Sequence, residues 1–386
     1  TTEIGGTYAK LSFNQPSHLN IIKYALVFVN GFFQKIFDVN SDIYAVGMNE
    51  NSLNKVKIIL ADEYFNISGF SNTLNVTTIA LSNYTISQNT VGGTYILIDE
   101  NYISPIGTET VDVYVDGVLN NTITNAGKDG IYATGLSQTT NYDIHLIING
   151  EQSNTINVTT PAKPALYQNS VVYLRLNNTV GNPTDLVNGY PAIDVGTITK
   201  DGEWYNYGTN ESYVELADQD DYSFTDGNGN NTDFVIKTTV IFDGFNSSNR
   251  AWLVSKRGTN QVGISREWQL IYLNNTLDFR IFDASGNQEV INAPFTPIIG
   301  QKYILGVTLN GTQIDLFIDG VIVATETLST GFTFFNGTSP VKLGNDTFTS
   351  NLNLVGRQKE TTILKSQGWS AGNISDNYNN GNGTTI

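Results

Sequence analysis

The 386-residue chain is 40% apolar and 11% aromatic, enough to fill packed cores and to exclude global disorder. Its length implies two to four domains. Only 15% of residues are charged and the net charge is −16, which disfavours phosphate-rich partners, whether nucleic acid or an anionic membrane. Cysteine is absent, so neither a disulfide framework nor thiol chemistry is available. No apolar run reaches the ~20 residues a membrane helix needs. The best, YALVFVNGFF at 24–33, is short and holds Asn30. Thr1 at the start fits removal of a signal peptide, proteolysis, or loss of the initiator Met alone.

Residues 1–20 (TTEIGGTYAKLSFNQPSHLN) have weak periodicity and are expected to form a docking arm. Three phrases then follow: VFVNGFF at 27–33, DIYAVGM at 42–48 and SNTLNVTT at 71–78. They return in order as VYVDGVL at 113–119, GIYATGL at 130–136 and SNTINVTT at 153–160, at offsets of 86, 88 and 82. Two copies of one domain are therefore predicted, each closing on the Ser-Asn-Thr strand. VDVYVDG alternates apolar and polar residues as a half-buried strand does. The Asn-Gly and Asp-Gly pairs tolerate the positive φ of a tight hairpin. Strands this short, with turns every 8–12 residues, predict a β-sandwich. The pattern resembles fibronectin type III modules, with immunoglobulin-like sandwiches a near alternative, over about 7–162; the predicted domains are 1–80, arm and first module, and 81–162, the second.

TTPAKPALY at 159–167 reads as a short, stiff linker. Beyond it the strands lengthen: SVVYLRLNN, SYVELAD, DFVIKTTVIFDG, AWLVSKRG, EWQLIYLNNTLDFRIFD, YILGVTLNGTQIDLFIDGVIVATET and VKLGND. About a dozen alternating strands suit a large two-sheet sandwich. Their order resembles a laminin G-like, concanavalin A-type jelly roll over 163–386. The closing GWSAGNISDNYNNG resembles the short helix that ends such domains, with Ile374 and Tyr378 facing inward. The ending departs from the family's usual leucine-rich phrase. The fold class is thus all-β: two small sandwiches followed by a large jelly roll.

Catalysis lacks raw material. Glycoside hydrolysis needs a carboxylate pair flanking the bond. Glu267 stands alone on its strand, and Asp278 and Asp283 fall on opposite strand faces. His18 and His145 are the two histidines, and no nucleophile–base pair is evident. No catalytic residue and no required cofactor is assigned. ADQDDYSFTDGNGNNTD at 217–233 concentrates oxygen donors of the kind Ca²⁺ takes, with Asp220, Asp221 and Asp226 as expected ligands. Asn231 and Lys237 occupy the positions where an EF-hand needs Gly and Glu, so that motif is excluded. A solvated acidic hairpin is the alternative. Laminin G-like relatives often hold one calcium at the rim. Trp204, Tyr205 and Tyr207 cluster in EWYNYG and are candidates for stacking on a sugar ring, against core packing as the alternative. Fifteen Asn-x-Ser/Thr sites occur, several in hairpin turns.

These features point to a non-enzymatic surface protein: sandwich spacers projecting a laminin G-like recognition head. The polar, weakly charged texture resembles virion fibres and decoration proteins of bacterial viruses, whose sequons stay bare. A prokaryotic adhesin or filament subunit, glycosylated on the cell surface, is the first alternative. A secreted glycanase or carbohydrate-binding module is the second. Expected partners are other surface-assembly proteins through the N-terminal region, further copies in an oligomer, and a host glycan or protein receptor at the head.

Overall fold

Alternation of apolar and polar residues becomes strand after strand here: thirty strands and one helix among the described residues. The computed structural model describes residues 3–4, 8–12, 22–39, 43–49, 52–65, 67–78, 85–100, 109–126, 131–177, 182–208, 212–246, 248–258, 266–345 and 353–378. All pairings are antiparallel, as two-residue hairpins require. The chain is all-β: two small sandwiches and then a large jelly roll.

The first small sandwich faces a three-stranded sheet (Glu3–Ile4, Ala9–Leu11, Ile43–Ala45) against a four-stranded one. The latter runs Phe32–Asp38, Ile22–Val29, Leu53–Asp62, Leu74–Thr77. The second sandwich repeats this order with Ile86–Val91, Ile96–Glu100 and Tyr132–Ala133 in one sheet. Val118–Ala126, Glu109–Val115, Asn141–Ile148 and Ile156–Thr159 follow the same order in the other. Equivalent residues pair alike: Val27 with Ile58 and Val113 with Leu146. Thus part of the expected docking arm, Glu3–Ile4 and Ala9–Leu11, is sheet. Residues 13–20 of it lie outside the described residues, as does His18.

The duplicated phrase is duplicated hydrogen bonding. Ser71 Oγ accepts from Ile58 N at 3.0 Å, while Ser71 N donates to Ile58 O at 2.8 Å. Ser153 does the same with Leu146, at 3.0 and 2.9 Å. At the end of the phrase Thr78 Oγ1 donates to Asn49 O at 2.6 Å and accepts from Ser52 N at 3.3 Å. Thr160 Oγ1 donates to Ser137 O at 2.6 Å and accepts from Thr140 N at 3.1 Å. Each hydroxyl closes backbone groups that the last strand leaves open. The hairpin turns share a second device. Asn30, Asp116 and Asp319 hold φ of 52°, 50° and 50° ahead of a glycine. Each side-chain oxygen accepts from a backbone N–H of the neighbouring strand: Lys55 at 2.9 Å, Asp143 at 2.8 Å and Ile304 at 2.7 Å.

The large sandwich stacks an eight-stranded sheet on a seven-stranded one. Phe234–Phe242 is buried at all nine residues because both its faces are covered. One face enters the core with Trp268, Leu270, Phe279 and Leu305. The other lies beneath Tyr167, Trp369 and Ile374, joined by Tyr95, Leu97 and Tyr132 of the second sandwich. Lys237 reaches through this layer, its Nζ donating to Tyr167 OH at 3.1 Å. The helix Ala371–Tyr378 therefore exists where expected, burying Ile374 and Asn377, with Tyr378 half-buried. The linker is packed as well: Lys163 N donates to Gln138 Oε1 at 2.8 Å, and Thr94 Oγ1 to Leu186 O at 2.9 Å.

Asp185, 0% exposed, anchors the turn at this junction. Its carboxylate accepts from the backbone N–H of Tyr173 at 2.8 Å, Val187 at 3.1 Å and Asn188 at 3.1 Å. Burial still outweighs these bonds and pushes its pKa from 3.8 up to about 7. A carboxyl whose folded pKa is raised binds its proton more tightly folded than unfolded, so its contribution to stability falls as pH rises from about 4 to about 7. Urea midpoints at about pH 4.5 and about pH 7.5 will show a steeper loss for the parent than for Asp185→Asn. Separately, Thr78→Val and Thr160→Val will each cost about 1–3 kcal/mol in chemical denaturation, through the backbone groups left unpaired. Equal losses are expected, because the two hydroxyls make equivalent bonds.

Candidate functional site

The clustered aromatics are core residues. Tyr205 and Tyr207 sit two apart beside the central strand Gly356–Lys365, so both rings point between the sheets, each 0% exposed. Trp204 points the other way but is also buried, its ring under Lys359 Nζ at 4.4 Å and Arg357 at 5.9 Å. None of the three offers an open ring face to a sugar, which corrects the stacking expectation. Trp252, Trp268 and Trp369 are buried too.

The acidic loop resolves into a turn and a hairpin. Asp220 and Asp221 stand exposed on a single 3₁₀ turn, Asp220–Tyr222. Asp226 turns inward on its own backbone, accepting from Asn228 N and Asn230 N at 2.8 Å and from Asn230 Nδ2 at 2.8 Å. These bonds hold its carboxyl below the usual carboxylate range. The same pattern recurs at Asp283, which accepts from Ser285 N at 2.9 Å, Asn287 N at 2.8 Å and Asn287 Nδ2 at 2.7 Å. DGNGN and DASGN are one turn motif used twice, and that repetition was the available sequence signal. Among the described residues no three acidic or histidine side chains are disposed to hold a metal ion. The residues present do not fit a calcium site, so none is carried forward. His145 stacks on Tyr114 at 5.0 Å as a strand-face residue.

Two outward faces remain. On the seven-stranded sheet one row crosses five strands: Glu215, Lys342, Ser255, Gln269, Arg280. These alternate with core residues Leu216, Leu343, Val254, Leu270 and Phe279, so they face away from the other sheet. Lys342 Nζ lies 3.8 Å from Glu215 and 5.3 Å from the Tyr213 ring centre. Ser255 Oγ, Gln269 Oε1 and the neighbouring Trp252 Nε1 are buried without a hydrogen-bond partner. The row is closed at its centre and open at its ends, at Glu215 and Arg280.

The second face belongs to the first sandwich. Phe28 pairs with Phe33 and Lys57, and Leu26 with Ile36 and Ile59. Phe28 meets Phe33 at 5.6 Å and Phe70 at 5.1 Å; Tyr24 stacks on Phe65 at 5.1 Å. Lys57 lies 5.4 Å over Phe70 and Lys23 5.6 Å over Tyr24. Phe33, Phe65 and Phe70 remain 50, 56 and 56% exposed. The second sandwich gives the like-for-like comparison. There Tyr114 pairs with Leu119 and His145, and Asp112 with Thr122 and Ile147. Its face is mixed: Asp112 and Thr122 stand where the first has Leu26 and Ile36, with Thr122 Oγ1 donating to Asp112 at 2.6 Å, while Leu119 is 50% exposed. A cleft of about 460 Å³ nearby, lined by Leu11, Val56, Ile58 and Phe70, has its Ser68 and Ser71 hydroxyls already bonded to the adjacent strand.

No protein-family model and no curated protein matches this sequence. Among solved structures, the binding domain of Paraclostridial mosquitocidal protein 1 is similar at 17% identity and TM-score 0.45, over 56% of this chain and 53% of that one. The botulinum neurotoxin serotype D binding domain is similar at 10% identity and TM-score 0.43, over 55 and 52%. The serotype D ligand-binding domain in complex with N-acetylneuraminic acid gives 13% and 0.41, over 55 and 51%. The chain thus matches about half the length of each.

The twin turns carry the prediction for this region. Asp226→Ala and Asp283→Ala will each lower the melting temperature, because the turn's backbone N–H groups lose their acceptor, and EDTA will leave the parent's melting temperature unchanged. A calcium-dependent rise that Asp226→Ala abolishes would restore the metal reading.

Proposed function

We propose that this chain is a non-enzymatic structural and adhesion protein of a surface assembly, docked through its first sandwich and presenting its large head outward. On this reading residues 1–80 and 81–162 are fibronectin III-like modules and 163–386 a laminin G-like head. The strand orders of the three units support that division. The observation that carries the function is the contrast between equivalent faces: a cluster of aromatic rings edged by lysines in the first sandwich, and Asp112, Thr122 and His145 interrupting the apolar residues in the second. Tandem copies free to be alike differ where one has a partner and the other has water.

The occupant that fits is a protein surface with an apolar centre and an acidic rim, because Lys57 lies over the exposed Phe70 ring and Lys23 over Tyr24, which stacks on exposed Phe65. The second sandwich is packed on the head through Tyr95, Leu97 and Tyr132, so these two form the projecting part. The polar row ending at Glu215 and Arg280 lies on the sheet away from that junction and supports a recognition role for the head. A virion fibre or decoration protein is the specific role we favour, from the weakly charged, Asn- and Thr-rich surface. The fifteen Asn-x-Ser/Thr sites favour a glycosylated prokaryotic adhesin as the second reading. Sugar mass on the native protein separates the two.

Phe33→Asp combined with Phe70→Asp removes two exposed anchors. Incorporation of the variant into the native assembly will fall at least about tenfold while its melting temperature stays within a few degrees. Unchanged incorporation, or a particle in which residues 1–80 point outward and the head is buried, would overturn the proposal.

A further inference from the structure

A group of ionisable residues lies at one end of the large sandwich, away from both outward faces. Lys256, at the end of strand Arg250–Arg257, is 0% exposed. Its Nζ pairs with Glu267 of the adjacent strand, which is 1% exposed. The same Nζ lies 2.6 Å from Asp218 Oδ1, just beyond strand Tyr213–Leu216. That oxygen has no hydrogen-bond partner, because the approach of Nζ lies outside hydrogen-bond geometry. Ser223 Oγ donates to Glu267 Oε2 at 2.6 Å, and Lys256 Nζ to Gly337 O at 3.3 Å. Trp268, whose Nε1 donates to Tyr222 O at 2.9 Å, and Phe224, stacked on it at 5.5 Å, wall the interior side.

Two carboxyls thus share one buried ammonium, and a group so placed sheds charge by moving protons. Burial pushes Glu267 up to about 7 despite Lys256 and Ser223, so its acid form is abundant near neutrality. Amine, carboxyl and a proton donor in fixed contact have a high effective concentration.

We propose that Lys256 and Asp218 become joined by an intramolecular isopeptide bond, with Glu267 as the proton shuttle. The Lys256 ammonium first yields a proton to the Asp218 carboxylate, leaving a neutral amine beside a neutral acid. Nζ attacks Asp218 Cγ and the Nζ–Cγ bond forms. Glu267 in its acid form protonates the departing hydroxyl, the Cγ–O bond breaks, and Glu267 recovers a proton from Nζ. One amide and one water result; no oxidant, metal or cofactor is consumed. The side chain of Asp218, 26% exposed, marks the open side by which the water departs. Val341 pairs with both Leu216 and Lys256, so the bond bridges two strands over the one between them.

The test is the mass of the full-length purified chain under denaturing conditions. The expected value is the sequence mass less one water, with a protease digest yielding a branched peptide that joins the Asp218 and Lys256 segments. Glu267→Gln and Lys256→Met should both show the full sequence mass, and Glu267→Gln should keep the parent's circular dichroism spectrum. A parent chain at full sequence mass overturns the proposal. So does a one-water loss that maps to a succinimide at Asp116, Asp226 or Asp319, each followed by glycine, or one that persists in Lys256→Met.

Discussion

Short polar side chains that bond to backbone hold this structure in register. The chain has no cysteine and few charges, so neither cross-links nor surface ion pairs are available in quantity. Instead Asn30, Asp116 and Asp319 each turn a hairpin and bind the neighbouring strand at once. Ser71, Ser153, Thr78 and Thr160 close the strand that follows. A strand that slips by one residue exchanges its core and solvent faces. These side chains oppose that slip because each bonds to one particular N–H. The richness in Asn, Thr and Ser is thus a requirement of strand pairing before it is a property of the surface.

The second constraint is the covered outer face of Phe234–Phe242. Its residues need an apolar lid, which Trp369, Ile374 and Tyr167 supply together with Tyr95 and Tyr132. Coverage there binds the second sandwich to the head and leaves the seven-stranded sheet as the head's outward sheet. The first sandwich carries its apolar surplus on a face of its own. From one duplicated template the two copies have diverged: the second packs on the head, and the first keeps an exposed aromatic face.

Much of the fold is legible in sequence because burial on one face writes a period of two. The repeat, the hairpin glycines and most long strands follow from it. Gly356–Lys365 is the longest of the strands that escape, though it borders Phe234–Phe242 along most of its length. Arg357, Lys359 and Glu360 mask its alternation, and two of its buried positions are Gln358 and Thr361. Gln358 Nε2 donates to Thr238 Oγ1 at 2.7 Å and to Leu253 O at 3.1 Å. Polar residues bonded to one another inside look like surface in a sequence. The same blindness explains Glu267, solitary along the chain yet in contact with Lys256, Ser223 and their neighbourhood in space. Tyr205 and Tyr207 mislead for the opposite reason: a two-residue strand, Tyr205–Asn206, is too short to announce which way its rings point.

The position of the threonine closures has a mechanical meaning. In each small sandwich the chain enters through the three-stranded sheet and leaves from the four-stranded one, at Thr78 or Thr160. If the chain is anchored through its first sandwich, as proposed, tension on it is applied at those exits. Tension there meets the bonds that Thr78 or Thr160 makes to Ser52 or Thr140, through hydroxyl and backbone, before it reaches the exit strand's ladder with Leu53–Asp62 or Asn141–Ile148. The phrase that repeats in the sequence is, in a chain under force, the latch on each link.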